Sequence, residues 1–175
     1  MTNRDGNEGA FRAIFDEHFR WVWGSLRRLG VRESDAEDLA HEVFLAVHRR
    51  LADYDPSRPM RPWLFGFAFR IAARHRRSAP QRREMIGVEE TIVDQNPRPD
   101  EAASISEARS LLMRALDELD LERRAVLVLH EWDGEPIPAV ARALEIPLNT
   151  AYSRLRLARE DLALVVKRLS RKDVR

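Results

Sequence analysis

Apolar residues recur at steps of three and four along most of this chain, which is the spacing of one face of an α-helix. The first series is Phe11, Ile14, Phe15, Phe19, Val22, Leu26 and Leu29, which Gly30 is expected to end as a C-cap. Similar series cover residues 35–51, 62–77, 101–119, 121–132 and 149–169, with a short helical pattern at 138–146. Glycines are few and β-branched runs are rare. The sequence therefore predicts an all-α protein.

The helical period fails between residues 78 and 99, where three prolines and a glycine interrupt the chain. So long an aperiodic stretch is more natural between domains than inside one. We therefore predict two small helical domains, at residues 8–78 and 104–170, joined by a flexible linker at 79–103.

Charge is unevenly distributed, although the net charge of the chain is only +1. Acids gather at 35–42, 94–107 and 117–122, and arginines at 58–83 and 154–159. The chain as a whole is therefore not a general basic binder of nucleic acid. The absence of cysteine excludes disulfides and thiolate metal sites. With no signal-type N-terminus and no apolar run near the ~20 residues of a membrane helix, we expect a cytoplasmic protein without a membrane segment.

The stretch RPWLFGFAFRIAARHRR, residues 61–77, combines aromatic residues with arginines and lies inside a run without acids at 58–83. Helical spacing puts one set of its residues on a common face: Trp63, Gly66, Arg70, Arg74 and Arg77. Arginines suit a phosphate backbone, and aromatic rings stack on unpaired bases. The pattern indicates a surface for single-stranded or opening nucleic acid. The alternative is an aromatic core beneath a solvated arginine face.

A second stretch, IPAVARALEIPLNTAYSRLRLAR at 137–159, has helix-turn-helix proportions. Its predicted core is Leu144, Ile146, Ala151, Leu155 and Ala158, with Ala141 where the helices cross. Asn149 or Thr150 is expected to cap the second helix and to leave its first turn free for phosphates or base edges. The alternative is a packed pair of helices without a DNA-binding role.

One possible metal pair, Asp38 and His41, occupies a helix face in the manner of carboxylate-bridged metal proteins. Such sites need several ligand-bearing helices, and the sequence contains no second motif of this kind. We expect neither a metal nor a cofactor.

Three segments together resemble bacterial RNA polymerase sigma factors of the extracytoplasmic-function (ECF) type. Residues 34–51, SDAEDLAHEVFLAVHRRL, are similar to region 2.2 of that family, and residues 61–77 to regions 2.3 and 2.4. Residues 116–160 are similar to region 4. The order and spacing of the segments match the family as well, so the resemblance implies a region 2 domain and a region 4 helix-turn-helix.

The resemblance also implies which residues have which roles. The positions implied to dock on the β′ clamp of core polymerase are Asp38, Leu39, Glu42 and Phe44. Those implied or expected to hold the minus-10 element are Tyr54, Trp63, Arg70, Arg74 and Arg77. Those implied or expected to read the minus-35 element are Asn149, Thr150, Ser153, Arg154, Arg156 and Arg159.

Some positions depart from the family pattern. Arg70 and Arg74 stand where many members carry Asn and Asp, so both add positive charge beside the opened strand. Asn149 replaces a common Gly, and Leu157 replaces a common Arg. The expected consequences are an altered minus-10 base preference and a lower minus-35 affinity.

The expected function is a non-catalytic sigma factor. It would bind core RNA polymerase through the β′ clamp and the β flap, recognise promoter DNA and help to melt it, and the family implies an anti-sigma factor as a further partner. The alternatives are a stand-alone helix-turn-helix regulator, an all-α enzyme with a metal–carboxylate centre, and a decoy that retains the sigma fold.

Overall fold

The computed structural model describes residues 3–86 and 101–172. These ranges contain seven α-helices and no strand, so the all-α prediction is confirmed. The helices are α1 Asn3–Arg28, α2 Glu33–Arg50, α3 Met60–Ile86, α4 Glu101–Asp117, α5 Leu121–Leu127, α6 Ile137–Ala143 and α7 Leu148–Lys172. A 3-10 turn, Leu51–Asp53, follows α2, and a π-helical turn, Val128–Trp132, extends α5. Within the described parts of the chain, no helix has both the length and the apolar character needed to cross a bilayer.

Two helices are longer than the sequence pattern predicts. α1 begins at Asn3, before the first apolar residue of its series, and α3 continues to Ile86, past its expected end near Arg77. Each residue added to an existing helix gains a hydrogen bond for only one residue fixed, and residues 81–85 are good helix formers. The predicted linker at 79–103 therefore begins and ends in helix, and its residues 87–100 lie outside the described ranges.

The first three helices form a bundle around one apolar core. Gly30 ends α1 as predicted, with a φ of +90° that favours glycine. The amide of Val31 then donates to the carbonyl oxygen of Leu26 at 3.0 Å, which closes the helix end. The core of this bundle consists mainly of Val22, Leu26, Leu29, Val43, Val47, Leu64, Phe65, Ala68 and Ile71.

The last four helices form the second half of the molecule. Asp120 caps α5, because its carboxylate accepts hydrogen bonds from the amides of Glu122 and Arg123. α5 and α6 both pack against α7. The core of this half includes Leu116, Val126, Leu129, Val140, Leu144, Ala151, Leu155 and Ala158.

The two halves pack against each other and share a continuous core. Arg124 of α5 is fully buried where they meet. Its Nη1 donates to Asp117 at 2.7 Å, and its Nε donates to the backbone carbonyl of Arg28 at the end of α1. A buried cation is strongly destabilising without such partners, so Arg124 specifies how α5 meets α1.

A second polar contact joins the halves beside the first. The indole nitrogen of Trp21 in α1 donates to the Asp133 carboxylate at 3.0 Å, and the Arg28 guanidinium lies 3.8 Å from the same carboxylate. Burial raises the pKa of Asp133, although the Trp21 hydrogen bond and the charge of Arg28 oppose that shift. The Asp133 carboxylate is therefore buried beside Trp21 and Arg28 and is not exposed to solvent.

Candidate nucleic-acid interface

Three aromatic side chains and one arginine form a row beside the start of α3. The rings of Tyr54 and Trp63 lie 5.0 Å apart, and those of Trp63 and Phe67 also lie 5.0 Å apart, edge to face. The Arg70 guanidinium lies over the Phe67 ring at 4.8 Å. The fold thus brings Tyr54, from the preceding loop, next to Trp63. Tyr54 and Trp63 are partly exposed, whereas Phe67 is only 9% exposed and belongs to the core. Two partly exposed aromatic rings near a guanidinium have the chemistry that stacks an unpaired base next to its phosphate.

The loop that carries Tyr54 is fixed by its own hydrogen bonds. The Tyr54 hydroxyl donates to the backbone carbonyl of Arg58, and Asp55 accepts from both the amide and the hydroxyl of Ser57. The hydroxyl and then the amide of Ser57 lower the pKa of Asp55. Burial raises the pKa of the Tyr54 phenol, with the charge of Asp55 acting in the same direction. The ring is therefore held in place before any ligand arrives.

The α3 arginines are less isolated than the acid-free stretch of sequence indicates. Arg70 pairs with Glu145 at 2.9 Å, and Arg74 pairs with Glu42. The expectation that these arginines have no opposing acids is wrong, because folding brings in acids that are 75 and 32 residues away in sequence. Both arginines remain exposed at the surface, as does Arg77. A phosphate would therefore have to displace a glutamate from Arg70 and from Arg74.

The outer face of α2 carries the residues implied to contact polymerase. Asp38 is exposed, and Leu39 and Glu42 are partly exposed. Phe44, however, is only 2% exposed, and its ring packs 4.9 Å from that of Phe15. Phe44 therefore points into the core, on the face of α2 that also carries Val43 and Val47, and contributes no exposed surface to the outer face.

Leu45 is the residue of α2 that sequence reasoning missed. Its side chain is 60% exposed and lies three residues beyond Glu42, on the same outer face. Together with the partly exposed Leu39, it gives this face of α2 an apolar element beside Asp38 and Glu42. The spacing of three residues from Glu42 places Leu45 on this face, whereas the family resemblance implies Phe44.

The helix-turn-helix of α6 and α7 forms as predicted. Leu144, Ala151, Leu155 and Ala158 are buried in its core, and Ile146 is partly buried against it. The turn between the helices places Glu145 at a φ of +55°, a left-handed conformation. α7 begins at Leu148, so Asn149 and Thr150 lie within its first turn and do not cap it. Pro147 lies directly before this start, and its carbonyl oxygen accepts a hydrogen bond from the amide of Ala151 at 3.1 Å.

The side chains predicted to read DNA do not all point the same way. Asn149, Ser153 and Arg156 are exposed on α7, and Thr150 is half-buried. Arg154 is 23% exposed and pairs with Glu122 of α5, which turns it back towards its own domain. Arg159 is exposed and pairs with Glu131 of the π turn. The outward face is thus narrower than predicted.

Two apolar residues of α7 also lie on this outward face. Leu148 and Tyr152 are both exposed and lie one turn apart, in line with Arg156. In a recognition helix, an apolar side chain can contact the methyl group of thymine in the major groove.

No group of three or more His, Asp and Glu side chains with the arrangement of a metal site occurs in the described residues. His41, one half of the discounted Asp38–His41 pair, lies with its Nδ1 2.9 Å from the carbonyl oxygen of Glu37.

Two family descriptions match the chain over most of its length. Residues 14–83 match sigma-70 region 2, and residues 109–162 match sigma-70 region 4. The first contains the aromatic row and the outer face of α2, and the second contains the helix-turn-helix.

Curated relatives match nearly the whole chain. The chain is 32% identical to the ECF RNA polymerase sigma factor SigL of Mycobacterium tuberculosis, over 90% of this chain and 89% of that protein. It is 31% identical to the RNA polymerase sigma factor CarQ of Myxococcus xanthus, over 94% of this chain and 98% of that protein.

Solved structures show the same architecture. CnrH, in complex with the cytosolic domain of CnrY, is 26% identical with a TM-score of 0.66, over 93% of this chain and 91% of that one. The sigma factor RpoE, in complex with the anti-sigma factor NepR from Bartonella quintana, has a TM-score of 0.70 over 90% and 97% of the two chains. At 18% identity, that second likeness concerns the fold alone. The chain therefore belongs to the ECF group of the sigma-70 family and is an RNA polymerase sigma factor that directs transcription from promoters.

Proposed function

We propose a division of this sigma factor's work between its two halves. Residues 8–78 act as region 2, which docks on core polymerase and handles the minus-10 element. Residues 104–170 act as region 4, which docks on the β flap and reads the minus-35 element. The segment between them sets the reach between the two sites. The separate matches of regions 2 and 4 support this division.

The aromatic row of Tyr54, Trp63 and Phe67 is the observation that carries the minus-10 role. Base flipping costs a few kcal/mol of lost stacking, so the protein must offer a surface that repays it. The exposed parts of Tyr54 and Trp63, backed by the buried Phe67, supply that surface, and Arg70, Arg74 and Arg77 follow it along α3 to hold the phosphates.

We assign polymerase docking to the outer face of α2, formed by Asp38, Leu39, Glu42 and Leu45. Phe44 supports this face from within the core. Acids around an exposed leucine suit a partner surface that is basic with an apolar centre.

We assign minus-35 readout to the outward face of α7. Its members are Leu148, Asn149, Thr150, Tyr152, Ser153 and Arg156. Arg159 contacts phosphate at the edge of the groove. Arg154 acts through Glu122, holding α7 against α5.

Partners and compartment follow from the family. Sigma factors are known as non-catalytic initiation factors, so we propose that this protein leaves the chemistry to the polymerase and works beside it in the cytoplasm. CnrH was solved with CnrY, and RpoE with the anti-sigma factor NepR. By likeness to these proteins, an anti-sigma factor is the expected inhibitor of this one.

Reconstituted transcription tests the proposal. The protein is mixed with bacterial core RNA polymerase and genomic promoter fragments, including the one upstream of its own gene. Discrete run-off products that require the protein are expected. The absence of any complex with core polymerase would contradict the assignment of α2 and would favour a stand-alone operator-binding regulator. A stable complex without products on any fragment would favour a decoy.

A further inference from the structure

Arg156 differs from three other arginines of α7 in where its acidic partner lies. The other three pair with acids outside α7: Arg154 with Glu122, Arg159 with Glu131, and Arg168 with Glu118. Each of those ion pairs ties α7 to another part of its own half. Arg156 instead pairs with Glu160, one turn further along α7, with 2.7 Å between Nη1 and Oε1. This ion pair therefore holds no two elements together.

The stability of α7 does not account for the Arg156–Glu160 pair either. The two side chains are 65% and 54% exposed, and ion pairs at such exposure contribute little to stability. An acid four residues before a base supports a helix better than the reverse order, and the reverse order is the one found here. The main physical effect of the contact is therefore to fix the direction of the Arg156 side chain, which would otherwise lose its rotamer freedom on binding.

Glu160 engages only one corner of the guanidinium. Side chains in an α-helix lean towards its N-terminus, so Glu160 leans over the turn that carries Arg156. Its carboxylate accepts a hydrogen bond from Nη1. The edge of the guanidinium opposite Nη1 consists of Nε and Nη2, whose two parallel N–H groups can donate to one ligand together. Glu160 thus leaves Arg156 as an oriented fork with two donors.

A fork with two donors suits guanine in the major groove. Guanine presents two neighbouring acceptors there, O6 and N7, whereas adenine places a donor beside its N7 acceptor. Arg156 is exposed on the face of α7 that also carries the exposed Leu148 and Tyr152. The oriented arginine therefore lies on the surface that we assign to the minus-35 element.

We propose that Glu160 is a positioning residue for minus-35 recognition, which holds the Arg156 guanidinium so that its Nε–Nη2 edge meets O6 and N7 of one guanine. The proposal rests on the assignment of the outward face of α7 to the minus-35 element. Glu160 contacts no base itself, and its negative charge repels the DNA phosphates. It therefore weakens binding to every sequence while it raises the preference for guanine at one position, which is a gain in specificity and not in affinity.

Glu160→Ala removes both the charge and the hydrogen-bond acceptor. Alanine is a good helix former, so α7 keeps its helix. Binding to duplex DNA of unrelated sequence should strengthen about twofold, because a charge that repels the phosphates is gone. The preference for guanine at the contacted position should fall from roughly tenfold to about twofold, because Arg156 is no longer oriented towards the base.

Glu160→Gln separates the charge from the acceptor. The amide oxygen can still accept from Nη1, although a hydrogen bond without the negative charge is weaker. Glu160→Gln should therefore gain the same affinity for unrelated sequence as Glu160→Ala but keep about half of the logarithm of the guanine preference. If Glu160 acted only through repulsion, both variants would bind all sequences more tightly and would keep the full preference.

Asp161→Ala is the matched control. It removes the same charge from the next residue, but Asp161 pairs with Arg123 of α5 at 2.6 Å and not with Arg156. We expect Asp161→Ala to lower the thermal midpoint by up to about 4 °C and to keep the guanine preference. Glu160→Ala should do the reverse, with the thermal midpoint kept and the preference lost.

The readout is the base preference of the holoenzyme formed from core polymerase and the full-length protein. A promoter found by run-off transcription is randomised across its minus-35 region, and the templates retained in open complexes are sequenced. We expect a guanine preference in the wild type that Arg156→Ala and Glu160→Ala reduce at the same position. In an Arg156→Ala background, Glu160→Ala should change nothing further at that position.

The failures of this proposal and of the assigned function differ. If Glu160→Ala kept the guanine preference while Arg156→Ala lost it, the positioning role would be overturned and the readout role of Arg156 would remain. If Glu160→Ala changed the preference equally with and without Arg156, the positioning role would also be overturned. An active holoenzyme without any preference in the minus-35 region would remove the role assigned to α7, and the proposal with it.

Discussion

Trp63 is the residue on which the minus-10 assignment depends most. Its indole stands between Tyr54 and Phe67, so truncation removes the centre of the stacking surface. Base–aromatic stacking contributes ~1–3 kcal/mol per base. Trp63→Ala should therefore lower open-complex formation roughly tenfold at limiting protein, as measured by permanganate reactivity of unpaired thymines on a promoter found by run-off transcription.

Trp63→Phe is the matched control, since it keeps an aromatic face. We expect it to recover most of the opening. Equal loss in both variants would indicate a packing role for Trp63, and no loss in Trp63→Ala would remove it from the minus-10 surface.

His18 gives the protein a pH dependence of stability. Burial lowers the pKa of His18; Glu17 opposes the shift and Arg61 adds to it. Its Nδ1 has no hydrogen-bond partner among the described residues. The unfolded chain takes up this proton near pH 6.5, whereas the folded protein resists it. Stability should therefore fall as the pH falls below about 6.5, by at most ~1.4 kcal/mol per pH unit.

Urea unfolding at pH 7 and 5.5 measures this effect. The loss of unfolding free energy should be smaller in His18→Gln than in the wild type, while exposed His48→Gln should match the wild type. Asp133, whose raised pKa acts in the opposite direction, cancels in this comparison. An equal loss in all three proteins would mean that His18 is not the titrating group.

At the scale of the element, two arginines of α7 have different assigned roles: Arg156 contacts DNA, and Arg154 stabilises the packing of α7 on α5. Arg156 is 65% exposed and its partner Glu160 lies on the same helix, whereas Arg154 reaches across to α5. Arg156→Ala should weaken promoter-duplex binding and reduce the slope of log K against log salt by about 1. Arg154→Ala should leave that slope unchanged and lower domain stability by up to about 1 kcal/mol.

Fluorescence anisotropy across a salt series, paired with thermal melts, distinguishes the two arginines. If the slope of log K against log salt fell in Arg154→Ala and stayed unchanged in Arg156→Ala, the DNA-reading face of α7 would be the one that carries Arg154.

The local sequence pattern predicted most of the helices but not the contacts between them. The stripe of Val43 and Val47 and the glycine end of α1 followed from spacing within one helix. The pairing of Trp21 with Asp133 did not, because these residues lie 112 positions apart and nothing in either local pattern points to the other. The burial of Arg124 could not be predicted either, because an arginine is expected at the surface unless its partners are known.

The site showed the same division between local and tertiary information. The face of α3 was predictable because a helix fixes which residues lie together. The glutamates that meet its arginines, and the burial of Phe44, depend on packing between helices, which one helix's period does not encode.

At the scale of the whole molecule, the shared core predicts cooperative behaviour. Trp21, Trp23 and Trp63 report on the first half, and Trp132 on the second, while circular dichroism reports on all helices. Since one core joins the halves, fluorescence and circular dichroism should give coincident thermal transitions. Different midpoints by fluorescence and by circular dichroism would show that the halves melt independently. The same conclusion would follow if, in Trp132→Phe, the midpoint from fluorescence differed from the midpoint from circular dichroism.

The Glu42–Arg74 ion pair connects the surface assigned to polymerase with the surface assigned to DNA. Glu42 lies on the face assigned to polymerase, and Arg74 on the helix assigned to DNA. If a basic group of the polymerase takes up Glu42, then Arg74 is released to a phosphate, and a phosphate at Arg74 equally releases Glu42. By thermodynamic linkage each ligand must then favour the other by the same factor. An exposed pair limits that factor to a few-fold, so the protein would act as a weak two-way coupler between enzyme and template.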